Sequence, residues 1–170
     1  MFALPGSVYL YQGEELGLHE VDDLPEAVLD DPVWDRSAHT EKGRDGCRVP
    51  LPWSRSGPSF GFGEDGSWLP QPEDWAELSV ESQEGVEDST LELYRRAIRI
   101  RNERLRGDQD LVWIENSPKV MAFRRTDGLM CLVNFGSSPV ALPEGEVLLS
   151  SGPLKSGLVP SDTAVWTAKR

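Results

Sequence analysis

Only two of the 170 residues are cysteine, Cys47 and Cys131, and only two are histidine, His19 and His39. A small secreted fold stapled by disulfides needs more cysteine, so two free thiols and a cytoplasmic location are the expectation. Neither histidine has a partner at zinc-ligand spacing. Asp22, Asp23, Asp30 and Asp31 lack the alternating order of a calcium loop, so a solvated acidic loop and no metal are expected there. No apolar run reaches the roughly 18 residues of a membrane helix. The opening MFALPGSVYLY has no basic stretch ahead of its apolar residues and is broken by Pro5 and Gly6, unlike a signal peptide. Basic residues are also in deficit: 17 Lys and Arg face 29 Asp and Glu, net −12. Phosphate has to be neutralised by an excess of bases, so nucleic acid is excluded as a partner class. No G-x-G-x-x-G, P-loop, Ser–His–Asp or Cys–His pattern can be argued, and no cofactor is expected.

The charge that is present is uneven. Residues 1–90 carry 20 acids and 5 bases, whereas residues 91–170 carry 9 acids and 12 bases, which suggests a change of character near residue 88. The run VYLY (8–11) has apolar residues at both parities and reads as a strand buried on both faces, followed by the polar turn QGEELG. From Leu18 to Val86 the chain is rich in Pro, Gly, Asp and Trp. A stretch that long without regular signals is functional or disordered, and Trp34, Trp53, Trp68 and Trp75 argue for order. Residues 88–106 read as a helix, capped by Asp88 or Ser89, with Leu91, Tyr94, Ile98 and Leu105 on one stripe and Gly107 as its stop. Its six arginines fit a solvated, dipole-matched face better than an anion site. Beyond Gly107 the period becomes two. LVWIEN (111–116), VMAFRR (120–125), LMCLVNF (129–135), EVLLSS (146–151) and AVWTA (164–168) read as strands of an all-β sandwich or a similar small antiparallel domain.

One segment fits no regular pattern. GRDGCRVPLPW (43–53) holds Arg44 and Arg48 on a loop stiffened by Pro50 and Pro52 and closed by Trp53. It resembles the RD-x-x-R-T-P-M-x-W loop of the α-glucosidase and oligo-1,6-glucosidase branch of the α-amylase superfamily, glycoside hydrolase family thirteen. LPGSVYLYQGEELGL (4–18) is similar to that family's eighth barrel strand, often LPGTPFIYQGEEIGM. FGFGEDGSWLPQP (60–72) resembles its AGF-…-PWLPV segment, the helix from Asp88 its barrel-closing helix, and AFRR, LVNF and the later strands its C-terminal domain. The resemblance is collinear from about residue 3 to about residue 168. Val49, Leu51 and Ser7-Val8 depart from the common Thr, Met and Thr-Pro, which leaves open whether the hydrolysing, trehalose-cleaving or isomerising kind is meant.

The resemblance implies the last strand-loop-helix unit of a (β/α)₈ barrel in residues 1–106 and a C-terminal antiparallel β-sandwich in residues 107–170. A whole barrel takes about 250 residues, so the chain looks like the tail of a longer protein. Retaining glycoside hydrolysis uses two carboxyl groups about 5–5.5 Å apart. In the family these follow the fourth and fifth strands, with a further Asp after the seventh, and no segment here matches them. No catalytic residue is therefore assigned, and Glu14 and Glu15 read as scaffold. The implied substrate contacts are Arg48, gripping the terminal glucose, with Arg44 and Asp45 as a supporting ion pair. Trp53 reads as a buried loop anchor more than a sugar-stacking ring. For Arg48 the competing role is a loop-stabilising salt bridge. The implied function is part of an α-glucosidase acting on oligosaccharides that end in α-linked glucose, with the missing barrel segment as partner. The alternative is a truncated, non-catalytic carbohydrate-binding or interaction protein.

Overall fold

The computed structural model describes residues 1–104, 110–115 and 117–169. Beyond residue 110 the chain forms strands β1 (Leu111–Trp113), β2 (Val120–Arg125), β3 (Leu129–Asn134), β4 (Val140–Ala141), β5 (Glu146–Ser150), β6 (Leu158–Val159) and β7 (Thr163–Ala168), the five longer ones on alternating apolar runs. Five form an antiparallel sheet in the order β1-β2-β3-β7-β5, and β4 pairs with β6 as a separate ribbon. Register decides what each face buries. Phe123 lies opposite Cys131, which lies opposite Trp166, which lies opposite Leu149. These side chains form one core with Phe2, Ala3 and Ala97. The neighbouring row, Ala122, Leu132 and Val165, packs instead with Val159 of β6. A slip of one residue would exchange the two faces, so both cores pin the register.

All five expected strands are present, although Asn116, assigned to the first of them, lies outside the described residues. They make a small antiparallel domain, as expected. The second sheet is a ribbon of two-residue strands on one face, and a helix covers the other. Strands that short show no alternation, so the sequence carried no sign of them.

That helix, α4, runs Thr90–Arg104. Ser89 caps it: its Oγ accepts from the Glu92 N–H at 3.2 Å. The stripe packed on the core is buried Ala97 with half-buried Leu93, Tyr94 and Ile100, whereas Ile98, expected on it, is exposed. Leu105, Arg106 and Gly107 lie outside the described residues. Arg101 donates to the Phe2, Leu4 (2.7 Å) and Gly6 carbonyls, tying the opening segment to the helix.

By contact density the chain divides into two units, Met1–Tyr9 with Leu93–Arg170, and Leu10–Glu92. The second unit is built from turns and the short helices α1 (Pro32–Arg36), α2 (Trp75–Leu78) and α3 (Val80–Gln83). Its core is Val21, Leu24, Val49, Leu69 and Trp75. Gln83 is buried and joins three segments, donating to the Leu16 and Leu78 carbonyls (both 2.8 Å) and accepting from the Leu91 N–H (3.1 Å).

The expected strand at 8–11 has no sheet pairing, and Tyr9, Leu10 and Tyr11 are exposed. Strand geometry persists through hydrogen-bonded neighbours. Among the described residues every paired strand is antiparallel and lies beyond residue 110, so VYLY has no parallel partner.

Candidate functional site

The arginine loop is held from below by two buried carboxylates. Asp31 ends the coil before α1, whose first residue is Pro32, and caps it: Oδ1 accepts from the Val33 N–H at 3.0 Å. Its Oδ2 accepts from the Arg44 N–H at 3.2 Å and lies 3.0 Å from Arg48 Nη1. Asp45 Oδ2 accepts from the Asp30 and Asp31 N–H groups, at 2.8 and 2.9 Å, while Oδ1 stands 3.6 Å from Arg48 Nη1. The hydrogen bond from Val33 holds the Asp31 carboxyl below the usual carboxylate range. The Arg44 N–H and the charges of Arg48 and Arg44 act in the same direction, against the opposing effect of burial.

Two glycines let the loop close. A Cβ on Gly43, where φ is +71°, would lie 2.6 Å from Asp31 Cγ, and one on Gly46 would lie 2.5 Å from the Val21 carbonyl oxygen. The Val21 N–H in turn donates to the Gly46 carbonyl at 3.1 Å. After Arg48 the chain is pinned by buried Val49 and Pro52 and by Gln71 Nε2, which donates to the Pro50 carbonyl at 2.9 Å. Tyr11 reaches the loop from outside, its hydroxyl donating to the Cys47 carbonyl at 3.2 Å and lying 3.5 Å from Cys47 Sγ. The hydrogen bond to Cys47 raises the Tyr11 phenol above its ordinary value. Tyr11, His19, Cys47 and Trp75 border a cavity of about 140 Å³.

The three expected contact residues fall in different settings. Arg48 is ion-paired to Asp31 and Asp45 with its side chain still 39% exposed. Arg44 is 77% exposed, and its nearest carboxylate is Asp31 at 3.9 Å. The supporting pair is therefore corrected: Asp45 serves Arg48, and Arg44 faces Asp31. Trp53 as a buried anchor is also corrected: the residue is 52% exposed. Its backbone does the anchoring, with its N–H on the Phe60 carbonyl (2.8 Å) and its carbonyl accepting from Glu81 (3.0 Å). Glu15 Oε2 accepts from the Gly13 N–H at 2.9 Å, closing its own turn.

Asp31 is the residue that sequence reasoning misplaced, as part of a solvated loop; it is 4% exposed. The Asp-Pro pair ahead of an apolar residue was a helix-start signal that could have singled it out. Gln71 and Gln83 carried no signal. Among the described residues no group of three or more His, Cys, Asp or Glu could hold a metal ion, and no helix is long and apolar enough to cross a membrane.

Known proteins identify the family. Residues 1–108 match the family described as alpha-amylase, catalytic domain. That is more than half of the chain, and the chain belongs to the alpha-amylase family. Within the family it is an α-glucosidase-like segment. It is 37% identical over 139 residues to a probable alpha-glucosidase of Rhizobium meliloti, a match covering 79% of this chain and 25% of that protein. It is 25% identical over 191 residues to an oligo-1,6-glucosidase of Bacillus cereus, covering 94% of this chain and 34% of that one. The chain thus spans a quarter to a third of these relatives. The crystal structure of an alpha-glucosyl transfer enzyme superposes with a TM-score of 0.77 at 32% identity, over 99% of this chain and 34% of that one. An isomaltulose synthase of Erwinia rhapontici gives the same score at 17% identity, a likeness of fold alone.

Proposed function

We propose that this chain supplies one wall of the glucose pocket of a retaining α-glucosidase that releases terminal α-linked glucose from oligosaccharides. Residues 1–106 are the end of the catalytic barrel in this reading, and residues 107–170 its β domain. The reacting carboxylates belong to a segment outside these 170 residues. The observation that carries the reading is Arg48: a guanidinium fixed by two buried carboxylates and still accessible. Sugar hydroxyls are neutral groups with lone pairs, and a fixed planar fork of donors matches them.

The test is Arg48→Lys in a full-length enzyme carrying this segment. Lysine keeps the charge and loses the fork, so the specificity constant on p-nitrophenyl α-glucoside falls about tenfold or more with the melting temperature little changed. An unchanged specificity constant would contradict the reading, and a loss matched by unfolding would assign Arg48 to the salt bridge alone.

A second reading has one observation in its favour. Phe62 and Trp68 are exposed and meet edge to face with centroids 6.1 Å apart, the kind of surface a carbohydrate-binding module stacks on sugar. Calorimetry of the chain with maltose and isomaltose separates the two: millimolar or tighter binding that Trp68→Ala removes and Arg48→Lys spares favours the module.

A further inference from the structure

We propose that Asp31 positions Arg48 and, with Asp45, keeps the arginine loop electrically neutral, so that the loop selects uncharged sugar hydroxyls over anionic sugar phosphates. This rests on the reading that Arg48 contacts substrate. Three donors converge on the buried Asp31 carboxylate: the Val33 N–H, the Arg44 N–H and Arg48 Nη1. Asp45, also 4% exposed, takes the Asp30 and Asp31 N–H groups and faces Arg48 from the other side. The cluster thus holds two guanidiniums and two carboxylates. Neighbouring Lys42, whose ammonium donates to the Asp22 and Leu24 carbonyls, and Asp30, whose N–H binds Asp45, add one charge of each sign and leave the balance unchanged.

A pair of unbalanced guanidiniums is a phosphate site, because a charged fork and a tetrahedral oxyanion match in both geometry and charge. Balanced by two carboxylates, the same fork keeps its donors and loses its net attraction for anions. A hydroxyl needs the donors alone. Gly43 closes over Asp31 so tightly that no side chain fits between them, which keeps the carboxylate out of water and its partners in place.

The experiment uses a full-length enzyme carrying this segment, with glucose and glucose 6-phosphate as competitive inhibitors. Asp31→Asn is isosteric and removes one negative charge. Its KM on p-nitrophenyl α-glucoside rises about tenfold, with kcat changed less, because Arg48 loses its anchor. Its preference for glucose over glucose 6-phosphate shrinks about fivefold as the cluster becomes cationic. Arg44→Gln, at an exposed position that folding tolerates, moves the preference the opposite way by a similar factor. Inhibition ratios unmoved in Arg44→Gln overturn the charge balance, including where Asp31→Asn fails to fold. An unchanged KM in a folded Asp31→Asn overturns the positioning role. If Arg48→Lys is itself silent, the substrate reading fails; if Arg48→Lys is impaired and Asp31→Asn is silent, only this inference fails.

Discussion

Gly46 shows how little room the arginine loop leaves at the scale of single residues. Its missing Cβ would sit 2.5 Å from the Val21 carbonyl oxygen, closer than van der Waals contact, and backbone is on the receiving side. Gly46→Ala is expected to cost about 1–3 kcal/mol, read as a lower urea midpoint at unchanged slope. Asp31 sets a pH dependence. Its folded pKa lies below the ordinary carboxylate value, so its stabilisation is complete above about pH 4 and is lost as pH falls through the folded pKa. The melting-temperature gap between the parent and Asp31→Asn is therefore expected to narrow below about pH 4; a constant gap would contradict this. The two thiols differ as well. Burial pushes Cys131 up to about 11, while Cys47 is half-buried and lies beside the Tyr11 hydroxyl. A disulfide reagent at neutral pH is expected to label Cys47 in the native chain and Cys131 only after unfolding.

At the scale of elements, the start of α4 is the test of what holds helix and turns together. Ser89 satisfies one orphan N–H and Gln83 another, and Gln83 also occupies two carbonyls. Ser89→Ala is expected to cost about 1 kcal/mol. Gln83→Ala is expected to cost more, about 2–4 kcal/mol, since two buried backbone groups and one half-buried one lose this partner at once. Equal losses in denaturant melts would show that Gln83 is not the joint described. The cap was legible, because Asp-Ser before a helical period is a local signal. Gln83 was not, because its partners Leu16 and Leu91 lie far from it or from each other in sequence. The sheet divides the same way. The five strands of the main sheet announce themselves by alternation, whereas β4 and β6 exist through each other and through the Val159 core.

For the whole molecule, the contrast is between a sheet with both faces covered and the bare run at 8–11. Amides of β2, β3 and β7 are expected to exchange slowest with solvent, and those of 8–11 within the fastest class; strong protection at 8–11 in a monomer would contradict the unpaired state. What the sequence by itself determined is what neighbours along the chain can decide: strand alternation, the Ser89 cap, and a collinear set of motifs that names the family. What only the tertiary structure decided is what segments far apart do on meeting. It set Asp31 under Arg48, left Trp53 exposed while its backbone holds the loop, and gave VYLY no strand partner among the described residues. Ion pairs and strand pairing are relations between distant residues, and their energy depends on distance and burial that no local pattern encodes.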